Sequence, residues 1–325
     1  MPPLNRRSLL QGLSLALVAG TTARSGDAAV DFDDPDDVYA ALRKGPVERL
    51  RLAGGAVNVV FANGAPGLDR PRVLRWVERC ATAMVGYFGH FPVAEMGLLV
   101  IAQPGNRVGH ATTFGFAGSV TKISVGTSAD DAAFAEDWVL VHEMLHCALP
   151  NLPRRALWLQ EGNATYVEPI ARAQAGQLSV DEVWRQSIIG MPRGLPLADE
   201  TGMDGTLRHD RLYWGGAAFW LLAEIQIYQQ SNGHHTLRDA MRAMNAQSGG
   251  NSVEWTPEHL MDVGDIATET RALSTLHARF ATRSSAVDLN ATFRTLGVSF
   301  AGRRVAYDAT APLADFRTRL TRSTT

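Results

Sequence analysis

Two histidines four residues apart with a glutamate between them, His142-Glu143-x-x-His146, lie in the run VHEMLHCALPNLPRRALWLQEGNATYVE over 141–168. On an α-helix such a spacing stacks both imidazoles on one face, one turn apart, so their nitrogens can converge on one ion. Zinc takes nitrogen, sulfur and carboxylate ligands, and a catalytic zinc keeps three protein ligands and one open position. The histidines supply two of the three, and Glu161 is the best candidate for the third. Glu143, beside His142, then stands where a base could take a proton from water.

The elements that must hold these residues are readable around them. Pro150 and Pro153 end the first helix, because proline cannot continue the backbone ladder. A second helix is expected from near Arg154 through Leu157, Trp158, Glu161 and Thr165 to Glu168, and the short turn between makes the two helices neighbours. H-E-x-x-H by itself also arises by chance on surface helices. Here the apolar flank Val139, Leu140, Val141, Met144 and Leu145, the helix-ending prolines and the W-L-x-E-G run from Trp158 to Gly162 separate it from such a match.

These residues resemble the gluzincin metallopeptidases, whose third ligand is a glutamate on the following helix. WLQEGNATYVE is similar to the WLNEGFAxYxE segment of the alanyl, leucyl and glycyl aminopeptidases. Fourteen residues separate His146 from Glu161, a shorter gap than the alanyl type has. The resemblance implies a zinc ion on His142, His146 and Glu161, with Glu143 as general base. It also reaches Tyr213-x-x-Gly216, similar to the segment in which a tyrosine precedes a buried helix and hydrogen-bonds the developing oxyanion. The family's lysine before the glycine is Gly215 here, and a buried structural tyrosine is the other reading of Tyr213. The G-A-M-E-N run that binds the substrate amine in the alanyl type is not found, and the β-domain that precedes the catalytic part there is expected to be missing. Exo- and endopeptidase activity both stay open.

The chain of 325 residues can bury a large core, and 46% hydrophobic with 20% charged residues is the balance of a water-soluble globular protein. A net charge of −2 argues against nucleic acid or an anionic membrane as partner, since both require a basic surface. Asn5-Arg6-Arg7-Ser8 followed by the apolar run to Gly20 reads as a twin-arginine export signal to the periplasm, or as an ordinary secretory signal carrying two arginines. Cleavage is expected after Ala23, with Ala28-Ala29 as a competing site. No stable membrane span is expected after its removal.

Asp31 to Asp37 reads as an acidic tether. A strand is expected over Ala53 to Phe61, a helix over Pro71 to Phe88, and a central strand over Gly97 to Ala102. After the glycine-rich Gly105 to Gly118 comes a strand at Lys122 to Gly126. The resemblance gives that strand the cleft edge, where an extended peptide adds to the sheet; a plain internal strand is the alternative. Asp131 to Leu149 is read as one metal-binding helix. Ser179 caps a short helix to Ile188 with Glu182 three residues on. Gly190 to Asp204 is a loop over the cleft or a simple connector, and Arg211 to Tyr228 a core helix. His209 with Asp210 offers a base and orienting acid, although a histidine in a polar loop is more often exposed. His234-His235 looks like a surface turn, and Leu237 to Met244 a short helix. The tail after Asp288 pairs a short helix with a hairpin and a last helix near Pro312. Glu168, seven residues after Glu161, holds a ligand imidazole, holds the substrate amine, or is a solvated glutamate. Cys147 leaves its helix about 100° from His146, a poor direction for the same ion; Cys80 and Cys147 either pair or stay as buried thiols.

The fold expected is α+β, a thermolysin-like metallopeptidase catalytic domain: a small mixed β-sheet lobe, then a mainly helical lobe, with the zinc site between. Residues 1–29 are assigned to the export signal and start of the tether, and 30–325 to one catalytic domain, split into lobes at 30–130 and 131–325. The function expected is hydrolysis of peptide bonds in a peptide or protein substrate. The competing expectation is a catalytically silent zinc-binding periplasmic scaffold or binding protein of the same fold.

Overall fold

A computed structural model describes residues 32–284 and 287–322, so the expected export signal lies outside the described residues. Asp34 accepts a hydrogen bond from the Asp36 N–H, and Pro35 opens helix α1 (Pro35–Lys44). This corrects the tether read over Asp31 to Asp37. Proline is favoured in the first helical turn, and the acidic residues there meet the positive end of the helix.

Strands β1 (Val47–Leu52) and β2 (Gly55–Phe61) form a hairpin. Helix α2 (Arg70–Phe88) follows, capped by Asp69 with a proline in its first turn, and leads to β3 (Glu95–Gln103). Then come β4 (Val108–Phe114) and β5 (Ser119–Gly126). The five strands lie in the order β1-β2-β3-β5-β4, antiparallel at both ends and parallel in the middle. The strand expected at Lys122 to Gly126 is therefore internal, between β3 and β4. The edge is β4, hidden in the stretch read as glycine-rich loop, and that corrects the assignment of the cleft edge.

Alternation along the strands sorts the side chains between two layers. Val57, Val59, Leu98, Val100, Ile123 and Val125 join the main core with α2. Val60, Leu99 and Val120 face the other way and pack with Val38 and Tyr39 of α1.

The helical part begins with α3 (Asp131–Glu136) and α4 (Val139–Ala148). One continuous helix over Asp131 to Leu149 was the expectation; Asp137 breaks it. Its backbone is extended, and its buried carboxylate accepts from the N–H groups of Val139 and Leu140 and from Trp76 Nε1. A short carboxylate that satisfies the free N–H groups of a helix start acts as a cap. Leu149 is extended, as a residue before proline must be.

A 3₁₀ turn at Arg154–Ala156 leads into α5 (Leu157–Gln174), which runs past the expected end at Glu168 with Pro169 inside it. The missing N–H is tolerated because this helix is enclosed by α2, α4 and α7 (Gly216–Gln230). Before α7 come α6 (Val180–Gly190), capped by Ser179 as expected, and a π-turn over Arg211–Gly215. Beyond it are α8 (Leu237–Ser248), α9 (Pro257–Thr268) and α10 (Ala272–Thr282), then α11 (Leu289–Thr295), the β6 (Val298–Ala301) and β7 (Arg304–Tyr307) hairpin, and α12 (Ala314–Leu320). The tail thus takes the expected form. A mixed sheet lobe leading into a mainly helical lobe is the α+β architecture expected. Among the described residues no helix is long and apolar enough to cross a membrane.

Candidate metal centre

The two helices read from the sequence bring their ligands together. α4 presents His142 and His146 with ring centroids 5.0 Å apart, and α5 presents Glu161 against them. Glu161 Oε2 lies 3.2 Å from His142 Nε2 and 3.6 Å from His146 Nε2, and one donor atom from each residue falls within 4.8 Å of the others. Donors 2.0–2.1 Å from a shared tetrahedral ion stand about 3.3 Å from one another. The spacing and the two-imidazole, one-carboxylate donor set therefore fit zinc.

The electrostatics fit it too. Burial pushes the His146 imidazole down, but the Glu161 carboxylate overrides this and Glu143 adds to it, so the ring is raised to about 9. Burial likewise works against the Glu161 carboxylate, yet His146 and His142 hold it well below the usual carboxylate range. Both shifts show a carboxylate that favours positive charge beside it, as a cation site requires.

How do the helices come close enough? An added Cβ on Gly162 would meet the Gly216 carbonyl carbon at 2.3 Å, and one on Gly216 would meet the Trp158 oxygen at 2.2 Å. The glycine after Glu161 thus lets α5 touch the start of α7 backbone to backbone. That contact draws in the π-turn carrying Tyr213.

Tyr213 stacks on His142 at 5.8 Å and 13°, and on His209 at 4.3 Å and 22°. Burial raises the pKa of its phenol, and the Glu161 and Glu143 carboxylates add to the rise. The group stays protonated and can donate at any physiological pH. The structure places the expected Tyr213 at the centre, together with a residue given little weight from sequence, His209. Burial lowers the His209 pKa while Asp210, 3.7 Å from Nδ1, pulls it upward.

Glu143 is held from a direction the sequence reading missed. Thr113 Oγ1, on the edge strand β4, donates to Glu143 Oε2 at 2.8 Å. Thr113 in turn meets the Thr121 hydroxyl at 2.8 Å and lies 3.1 Å from the Glu143 carbonyl oxygen. The run Thr112-Thr113-Phe114, two β-branched residues and an aromatic, is the available strand signal. Cys147 is fully buried in the main core and is not grouped with His142, His146 and Glu161. Cys80 and Cys147 are both buried free thiols, and burial pushes each far up, Cys147 to about 12.

Glu168 is 2% exposed and accepts from Arg172 Nη1 at 2.8 Å, which excludes the solvated reading. Its carboxylate helps to line a cavity of about 310 Å³ that opens on His142 and Tyr213 and is walled by Trp138, Thr165, Arg193 and Trp214. The segment read as loop or connector after Gly190 supplies Arg193, which pairs with Asp210.

The sequence matches no family model and no curated protein. Solved structures do match. The chain is similar to an aminopeptidase N family protein from Idiomarina loihiensis, at 13% identity and TM-score 0.58, over 78% of this chain and 49% of that one. An M1 zinc metallopeptidase from Deinococcus radiodurans matches at 15% identity and TM-score 0.47, over 75% of this chain and 54% of that one. The chain spans about half the length of these proteins. On this likeness and its own architecture, the chain has the fold of a gluzincin-like metallopeptidase catalytic domain.

Proposed function

We propose that the protein is a zinc-dependent metallopeptidase of the H-E-x-x-H…E type, with His142, His146 and Glu161 as ligands. The observation that carries this reading is the meeting of the three donors with Glu143 held beside them by Thr113. When bound there, zinc supplies Lewis acidity that acidifies water and polarises a carbonyl. Glu143 accepts the water proton on its carboxylate and passes it to the leaving amine nitrogen. The Thr113 hydroxyl keeps that carboxylate in one orientation. Tyr213 donates its phenol proton in a hydrogen bond to the carbonyl oxygen as that oxygen gains charge.

A peptide suits the site because β4 ends the sheet, leaving one side of its backbone free to pair with an extended chain, and it also carries Thr113. The cavity beside His142 then receives a substrate side chain.

Metal content and cleavage of a fluorogenic peptide library, measured together, test the reading. One zinc per chain is expected, kept in Glu143→Gln with turnover abolished. A Glu143→Gln variant that cleaves as wild type overturns the role of the base. Zinc without any cleavage across the library points to the silent binding protein instead.

A further inference from the structure

Tyr213 sits in the middle of a π-turn, a backbone form that is rare and needs support from its surroundings. The turn is braced here by an ion cluster that reaches the cavity wall through Arg208. Arg211, the first residue of the turn, is 2% exposed. Its Nη1 donates to Glu200 Oε2, and its Nη2 donates to the carbonyls of Thr201 and Gly202. Arg208 donates from Nε and Nη2 to the same carboxylate at 2.8 and 3.0 Å. It also donates to the carbonyls of Arg193 and Leu195, and its own carbonyl accepts from the N–H groups of Arg211 and Leu212. Glu200 further accepts from the Leu197 N–H at 2.8 Å.

One carboxylate thus ties the segment 193–202 to the turn at 208–215. The two lie in direct backbone contact, since a Cβ added at Gly194 would stand 2.0 Å from the Gly215 nitrogen. Charge-assisted, forked Arg–carboxylate bonds are the strong and directional kind. Glu200 itself is not one of the three grouped donors and does not line the cavity, which it reaches only through Arg208.

We propose that Glu200 is a positioning residue for Tyr213, gathering Arg208 and Arg211 so that the π-turn holds the Tyr213 ring against His142. This rests on the proposed role of Tyr213 in hydrolysis. A displacement of about 1 Å in a reacting group costs on the order of 100-fold in rate. Loss of the clamp therefore lowers turnover without loosening the metal, and Arg208 keeps its place in the cavity wall through its bonds to the Arg193 and Leu195 carbonyls.

The test is a double-mutant cycle on the full chain, with kcat, KM and zinc content measured on a cleaved fluorogenic peptide. Glu200→Gln is expected to lower kcat by about 10- to 100-fold at unchanged KM and zinc content, and to add nothing in a Tyr213→Phe background. An equal loss in both backgrounds, or no loss in either, overturns the proposal. If Tyr213→Phe itself turns over as wild type, the role of Tyr213 falls and the proposal with it. If Tyr213→Phe is impaired while Glu200→Gln is not, the proposal alone falls. Should Glu200→Gln not yield folded protein, Glu200→Asp, which keeps the charge but not the reach to both guanidinium groups, carries the same cycle with the same outcomes.

Discussion

Replacing Thr113 by valine keeps the shape of a β-branched strand residue and removes one hydroxyl. In the folded protein that hydroxyl donates to Glu143 Oε2 at 2.8 Å, and it touches none of the metal ligands. A hydrogen bond to a charged group contributes about 1.5–3 kcal/mol. If all of it serves to hold the base for proton transfer, kcat/KM falls by about 10- to 150-fold at 1.36 kcal/mol per tenfold. The assay is steady-state cleavage of a quenched peptide with metal analysis of the same samples. A Thr113→Val enzyme within threefold of wild type, at equal zinc content, would falsify the idea that β4 orients the base.

Other outcomes follow from the same geometry. Glu161→Ala removes the shared carboxylate and should strip zinc from the dialysed protein; zinc that survives means another third ligand. Gly216→Ala puts a methyl 2.2 Å from the Trp158 oxygen, so the α5–α7 contact must open at a cost of about 1–3 kcal/mol, read as a lower midpoint in urea. Both thiols should resist a thiol reagent until unfolding, and mass spectrometry under oxidising conditions should find no Cys80–Cys147 bond. Burial raises the Glu224 carboxyl from 4.5 to about 7, with the Leu237 N–H pulling back. The native state then keeps a proton that the unfolded chain has released, so this contribution is full below pH 4.5 and is lost as pH rises through 7. Its size is on the order of 3 kcal/mol, and Glu224→Gln should flatten that part of the stability–pH curve.

The meeting of the three candidate donors was legible because their geometry is local. Four residues make one helical turn, and two prolines mark where the next helix must start, so spacing alone encodes the convergence of His142, His146 and Glu161. Residues that serve the centre from afar carry no such mark. Thr113 is an ordinary threonine in an ordinary strand, and its role exists only once β4 lies across α4. Asp137 reads as one more polar residue in a helical rhythm until its carboxylate is seen to cap the following turn. The acidic run at Asp31 was taken for a tether because its composition outweighed Pro35, although proline after an aspartate is a helix-start signal. The same signal, Thr256-Pro257, stood unread before α9. His209 was discounted as a loop histidine, and only the π-turn folds its ring onto Tyr213.

That contrast in range has a consequence for how the proposed site matures. The ligand set closes within one helical hairpin, since His142 and Glu161 are 19 positions apart, whereas the bond from Thr113 to Glu143 spans 30 and needs the sheet already paired. Short loops close sooner and at lower entropic cost than long-range strand contacts. The chain is expected to load its ion early in folding and to acquire proton transfer late, so a half-folded copy holds metal while unable to cut its neighbours. Refolding with cobalt in place of zinc should therefore show the visible ligand-field bands before peptide cleavage begins.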